Sequence, residues 1–185
     1  MSPVLGVIQS SFEISNVDPQ NSKLDFGSKT DISFGVEAEY VLPFNKNKWS
    51  VFIEPSISKY SGTSTYHYMQ LSVQYTEELQ AKSSFINVPV GGRHYFFIND
   101  KSQIFVDLAY VYIISKTDDI RTHDSNNLVL DKFLKTGSSI AAGIGFKYSS
   151  ASVEARYYES QDLDDYILRQ STFSKFAILI KYRIF

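Results

Sequence analysis

Residues Thr172–Phe185 read TFSKFAILIKYRIF. Spaced by two, Phe176, Ile178, Ile180, Tyr182 and Ile184 share one face of an extended strand, and Lys175, Ala177, Leu179, Lys181 and Arg183 share the other. Side chains alternate across a strand, so this segment has a wholly apolar face and a cation-bearing face. In a soluble domain the apolar row of a closing strand would need a covering layer. In a strand that seals a transmembrane β-barrel, one row meets lipid and the other a polar interior.

The same alternation recurs through the chain, in eight segments. They are Pro3–Ser15, Thr30–Phe44, Lys48–Tyr60, Ser84–Ile98, Gln103–Ser115, Thr136–Tyr148, Ala151–Ser160 and the closing stretch. Thr30–Phe44 is the clearest, with Ile32, Phe34, Val36, Ala38, Tyr40, Leu42 and Phe44 opposite Asp31, Ser33, Gly35, Glu37 and Glu39. Pro55 inside the third segment predicts an edge or a bulge, because proline brings no N–H to a ladder. The connections Asn45–Asn47, Asn99–Lys101 and Ser149–Ser150 are short. Those at Asn16–Lys29, Ser61–Ser83, Lys116–Lys135 and Gln161–Ser171 are long, and the two kinds alternate. In an up-and-down barrel all long loops then leave one end, opposite the termini. The predicted fold is all-β: an eight-stranded antiparallel up-and-down transmembrane β-barrel, one domain over residues 1–185.

The charges fall on the row of small and polar residues: Glu37, Glu39, Glu54, Arg93, Asp107, Lys147, Glu154, Arg156, Lys175, Lys181 and Arg183. A soluble barrel, such as a ligand-binding one, would reverse this polarity and fill its interior with apolar side chains. An eight-stranded barrel has room inside only for side chains. Charges there must pair, since an isolated ion in a dry interior is costly. The expectation is a lumen charge network of Glu37, Glu39, Glu54, Arg93, Asp107, Glu154, Arg156 and Lys181 that plugs the interior with salt bridges.

Composition narrows the classes. Aromatic residues make up 15%, with 13 Tyr, 14 Phe and one Trp, which suits aromatic girdles and also suits soluble all-β domains. A net charge of −2 gives no footprint for nucleic acid. The absence of cysteine excludes disulfides, thiolate nucleophiles and cysteine metal sites. No apolar run is long enough for a membrane-crossing helix. The first residues, MSPVLGVIQSS, lack the charged start and apolar core of a secretion signal, and the reading is a chain from which such a signal is missing.

Three stretches carry a family resemblance: FINVPV (Phe85–Val90) running into GGRHYFF (Gly91–Phe97), AAGIGFKY (Ala141–Tyr148) and KYRIF (Lys181–Phe185). On these the chain resembles the small outer-membrane β-barrel family, the OmpX- and OmpA-like eight-stranded proteins, above all their Bacteroidota variants. The resemblance covers essentially the whole chain and speaks to fold and location. It implies the outer membrane of a Gram-negative bacterium, long loops extracellular and termini periplasmic. It also implies contact with outer-membrane lipid, lipopolysaccharide and the barrel-assembly machinery. The assembly signal would be Phe176, Ile178, Ile180, Tyr182 and Phe185. One departure is Arg183, where the family's terminal pattern has an aromatic two residues before the last Phe.

Catalytic chemistry finds little support, and the reading is not an enzyme. His94 falls on the lipid-facing parity, and His67 and His123 lie in long connections. A Ser/His/Asp set is recognised by geometry and not by spacing. An outer-membrane enzyme acting on lipid or peptide stays as an alternative. Asp118, Asp119, Asp124, Asp162, Asp164 and Asp165 lie in two acidic loops without a calcium-loop spacing, so no metal and no cofactor is expected. The stretch Ser61–Ser83 is the unusual one. Tyr66, Tyr68, Met69, Leu71 and Tyr75 keep the alternation going, so the strands could extend above the membrane as a hairpin. It is the expected partner-contact loop, with a structural or surface-interaction role. Other envelope proteins, including those of a larger envelope complex, are the candidate partners.

Overall fold

The computed structural model of the chain describes residues 1–15, 23–70, 73–122, 128–131, 137–162 and 170–184. In order the strands are β1 (Ser2–Ser15), β2 (Lys23–Val41), β3 (Trp49–Ile53), β4 (Ser56–Gln70), β5 (Val73–Phe97), β6 (Ser102–Thr122), β7 (Leu128–Asp131), β8 (Gly137–Tyr148), β9 (Ala151–Asp162) and β10 (Gln170–Tyr182). All pairings are antiparallel, and β1 joins β2 on one side and β10 on the other, which closes the ring. The ring runs β1, β2, β3 with β4, β5, β6, β8, β9, β10, giving eight staves, with the short β7 laid against β6. The closing stretch quoted above is the stave that completes it.

The expected third segment is one stave in two pieces, broken at Glu54 and Pro55. The ladder passes through the break. Glu54 N donates to Pro89 O at 3.0 Å, and Pro55 O accepts from Val36 N at 3.0 Å. Register is unchanged, Ala38 facing Ile53 before the break and Gly35 facing Ser56 after it.

The short turns and the chain ends share one rim. Asn45, Lys46 and Asn47 turn with positive φ, and Asn99 Oδ1 accepts from Lys101 N and Ser102 N. Ser149, φ 53°, turns β8 into β9. Ile184 N donates to Met1 O at 3.0 Å on the same rim.

At the other end the strands run further than the alternation alone suggested. β5 has 25 residues and β6 has 21, where about 9–11 suffice to cross a bilayer. Most of the expected Ser61–Ser83 connection is strand, paired from Ser61 with Lys82 to Gln70 with Val73. Lys23–Lys29 and Lys116–Thr122 are strand as well.

The outward row is apolar and exposed: Leu5, Val7, Ile32, Phe34, Val51, Ile57, Val90, Leu108, Ile144, Val153, Ile178 and Ile180 among others. Towards the turn rim it ends in Tyr40, Trp49, Phe96, Tyr148 and Tyr182. This is a lipid-facing belt with an aromatic girdle. The inward row divides by height. Towards the turn rim it holds Glu37, Glu54, Arg93, Asp107, Glu154, Arg156 and Lys181, all buried. Towards the long-hairpin end it holds a packed apolar cluster including Phe12, Ile14, Leu24, Phe26, Tyr60, Leu79, Phe85, Val111 and Ile113.

Candidate functional site

Six of the eight staves bring the inward charges to one level. β2 supplies Glu37, the β3–β4 break Glu54, β5 Arg93, β6 Asp107, β9 Glu154 and Arg156, and β10 Lys181. Arg93 makes two parallel bonds to Glu37, Nη2 to Oε2 at 2.9 Å and Nη1 to Oε1 at 3.2 Å. It also reaches Asp107 Oδ2 at 3.1 Å and Glu154 Oε2 at 3.2 Å. Arg156 forks onto Glu54 at 2.8 and 3.2 Å and donates from Nε to Glu154. Lys181 Nζ lies within 2.6 Å of Glu37, 2.5 Å of Glu54 and 2.9 Å of Glu154. Planar guanidinium forks on carboxylates give both strength and fixed orientation.

Aromatic rings complete this layer. The Arg93 guanidinium lies between Phe52 and Phe105, 4.7 and 4.5 Å from their centroids. Phe52 also faces Arg156 at 5.5 Å and Lys181 at 5.9 Å. Two glycines make the room: a Cβ on Gly143 would collide with the Asp107 and Glu154 carboxylates, and one on Gly145 with the Phe105 ring.

Glu37, Glu54 and Glu154 present carboxylate oxygens within 4.8 Å of one another, a spacing a metal ion could use. The Lys181 ammonium sits among all three, so the geometry is already that of a bound cation. Glu39 lies nearer the rim, bonded by Tyr95 Oη and, at 2.6 Å, by Ser50 Oγ. There a shallow polar recess opens between Ser2, Glu39, Lys147, Ser150, Ser152 and Arg183. Deeper in, Lys175 Nζ donates to Asn87 Oδ1 at 2.9 Å and faces the Phe85 ring at 4.7 Å. It marks the change from ionic to apolar filling. Sequence reasoning did not single out that apolar upper filling. Its signal was present in Phe12, Tyr60, Phe85, Val111 and Ile113, apolar residues on the inward parity.

The partner-contact stretch forms the upper β4–β5 hairpin. Tyr66 is half-buried against the apolar core, and Tyr75 is exposed. Tyr68 and Met69 lie on strand backbone, and their side chains are outside the described residues, as is Leu71. His67 is exposed, its Nδ1 3.0 Å from Thr76 Oγ1. His94 lies between Trp49 and Phe96, ring centroids 4.4 and 4.7 Å away, and among the described residues its Nδ1 has no hydrogen-bond partner. Phe176, Ile178, Ile180 and Tyr182 form one exposed outward row. Phe185, His123, Asp124, Asp164 and Asp165 lie outside the described residues, and the side chains of Asp118, Asp119 and Asp162 are not described.

A closed antiparallel ring with a lipid-facing belt outside and charges inside defines a transmembrane β-barrel, the reverse of a soluble barrel's polarity. The chain belongs to the outer membrane protein beta-barrel domain family, whose model matches residues 2–160, and its place is the outer membrane. Among solved structures it is similar to Ail, the attachment invasion locus protein of Yersinia pestis, at 12% identity, covering 98% of this chain and 97% of that one, TM-score 0.40. Neisserial surface protein A is similar at 9% identity, covering 100% and 99%, TM-score 0.46. OprG from Pseudomonas aeruginosa is similar at 12% identity, covering 96% and 93%, TM-score 0.46. No curated protein sequence matches the chain.

Proposed function

We propose that this barrel is a non-enzymatic platform that holds the β4–β5 hairpin outside the cell for contact with other envelope or surface molecules. Its interior is closed by the Glu37–Arg93–Glu154–Lys181 network below and the apolar cluster above. The observation that carries the reading is the length of the wall. β4 and β5 stay paired up to Gln70 and Val73, well beyond the outward apolar residues Ile57 and Ile86. Membrane crossing does not require that extension, and Tyr75 at its tip is 42% exposed. Aromatic side chains held on a rigid hairpin are good contact surfaces. In this reading the hairpin end faces outward and the turn rim faces the periplasm.

The test must spare the core, because Tyr66, Leu79 and Ala81 pack in it. Residues 67–76 are therefore replaced by Asn-Gly, a two-residue turn that suits the pair Tyr66 and Glu77. The shortened barrel is expected to assemble and to lose the molecules that co-purify with the parent in mild detergent. Retention of all of them would reject the hairpin as the contact surface.

A further inference from the structure

The inward row continues past the ionic layer to the turn rim. There Lys147 on β8 stands opposite Ser152 on β9 and opposite Gln103 on β6. Ser2 on β1 stands opposite Glu37, and Glu39 is the next inward residue of β2. Arg183 N donates to Ser150 O at 2.7 Å, which fixes the end of the closing stave beside the β8–β9 turn. Ser2, Glu39, Lys147, Ser150, Ser152 and Arg183 wall the shallow recess at this rim. Glu37 and Arg93 also line it, and they are paired with each other.

The charges on this wall are unequal. Glu39 is already held by Tyr95 Oη, by Ser50 Oγ at 2.6 Å and by Arg93 Nη1 at 3.4 Å. Lys147 is half-buried, and its ammonium faces the Tyr95 ring at 5.2 Å. Among the described residues that ammonium has no ion pair and no hydrogen bond. A half-buried ammonium has lost water and gained no acceptor, so an anion entering the recess gains a charge-assisted bond there. Beside the Glu37–Arg93 pair, Lys147 and Arg183 oppose the single acid Glu39, an excess of one positive charge. A monoanion cancels that excess, and the second charge of a phosphate would be repelled by Glu39. The recess is shallow and takes the end of a ligand, not the whole of one. Lipid headgroups lie outside the wall, whereas Glu39, Lys147 and Ser152 are on the inward parity. The group that fits is a flat carboxylate approaching the rim from the aqueous side.

We infer that Lys147 and Arg183, with the serines around them, form a binding site in the turn-rim mouth for one carboxylate of a periplasmic ligand. The carboxylate is brought by a peptide end or by a free organic acid. The periplasmic source rests on the orientation proposed above; the binding itself does not. The test uses the whole ¹⁵N-labelled barrel in maltoside detergent and follows the Ser150 and Ser152 amide resonances. The probes are acetate, N-acetyl-alanyl-alanine and the same dipeptide as its C-terminal amide. Acetate and the dipeptide acid are expected to shift both resonances in a saturable way, and the amide is not. Tighter binding of the dipeptide than of acetate assigns the carboxylate to a peptide end, and equal binding assigns it to a free acid. Losing a bond to a charged group weakens binding roughly tenfold or more, which is the effect expected of Lys147→Gln. Lys147→Arg should bind like the parent, which separates lost charge from lost fold. Parent-like binding by the Gln variant, or equal binding of the dipeptide amide, would overturn the site. Chloride competing as strongly as acetate would also overturn it, leaving an adventitious ion only. Orientation is read separately. The chain has no cysteine, so Lys101→Cys supplies a unique label site on the turn rim. An impermeant maleimide is expected to label it only after the outer membrane is permeabilised. Labelling on intact cells would overturn the periplasmic source even if the titration succeeded.

Discussion

Glu54 shows what one interior carboxylate does. It is 1% exposed, takes the fork of Arg156 and also faces Lys181 at 2.5 Å. Replacing hydrophobic residues by such a pair is seldom a gain, but removing one partner leaves the other charge stranded. Glu54→Ala is expected to destabilise the barrel by about 3–5 kcal/mol, read as a lower urea midpoint of the heat-sensitive folded band. Glu54→Leu combined with Arg156→Met removes both charges of the fork and should recover much of that loss. If the double variant is as unstable as Glu54→Ala, the cost does not come from the orphaned guanidinium. Gly143 belongs to the same account: Gly143→Ala would push a methyl against the Asp107 and Glu154 carboxylates, which would have to shift out of their ion pairs.

At the scale of elements, β2 and β4 are joined less regularly than any other pair of long neighbours. Their ladder consists of Phe34 with Ile57 and Gly35 with Ser56. Higher up, β2 is irregular: Gly27 has φ 76°, Asp25 Oδ1 accepts its N–H at 2.8 Å, and the β1 register shifts between Ser11 and Glu13. The Tyr60 hydroxyl lies 3.1 Å from Phe26 O and 3.0 Å from Gly27 O, spanning this seam. Tyr60→Phe leaves buried carbonyls without that donor, at a cost of about 1–3 kcal/mol. The expected result is faster amide exchange in Lys23–Thr30 than in β8 and β9. Uniform exchange across the barrel would show that Tyr60 does not pin the seam. None of this was legible beforehand. The alternation identified eight staves because a period of two survives in sequence. It also placed Glu37, Glu54, Arg93 and Lys181 on one row, because parity carries through each strand. It could not locate the seam, which depends on a left-handed Gly27 and a contact across 34 positions. Nor could it end the strands correctly. Above the membrane the outward row turns to Lys59, Ser61, Thr63 and Thr65, which reads as loop in composition while the backbone remains paired.

For the whole molecule the deciding quantity is the space left inside a ring of eight staves. Such a ring is just wide enough for its own side chains to fill. Here two unlike fillings are stacked. The lower one is ionic: Arg156 and Glu154 are 0% exposed, and Lys181 is held among three carboxylates. The upper one is apolar, with Phe12 and Phe26 both 0% exposed and stacked at 5.3 Å. An ion crossing the barrel would have to displace the charge pairs and then traverse the ring cluster, where nothing replaces its hydration. Opening one layer alone is therefore not expected to open a path. The barrel reconstituted in planar bilayers is expected to show no sustained porin-size conductance, at either polarity. Neutralising Arg93 and Lys181 together should disturb the lower layer without producing a channel, because the Phe12–Phe26–Tyr60–Phe85 layer still stands. Replacing Phe12, Phe26 and Phe85 by alanine as well should admit water through both layers and raise conductance. A steady channel in the unmodified protein would refute the closed interior. Conductance after the charge changes alone would show that the apolar layer does not seal.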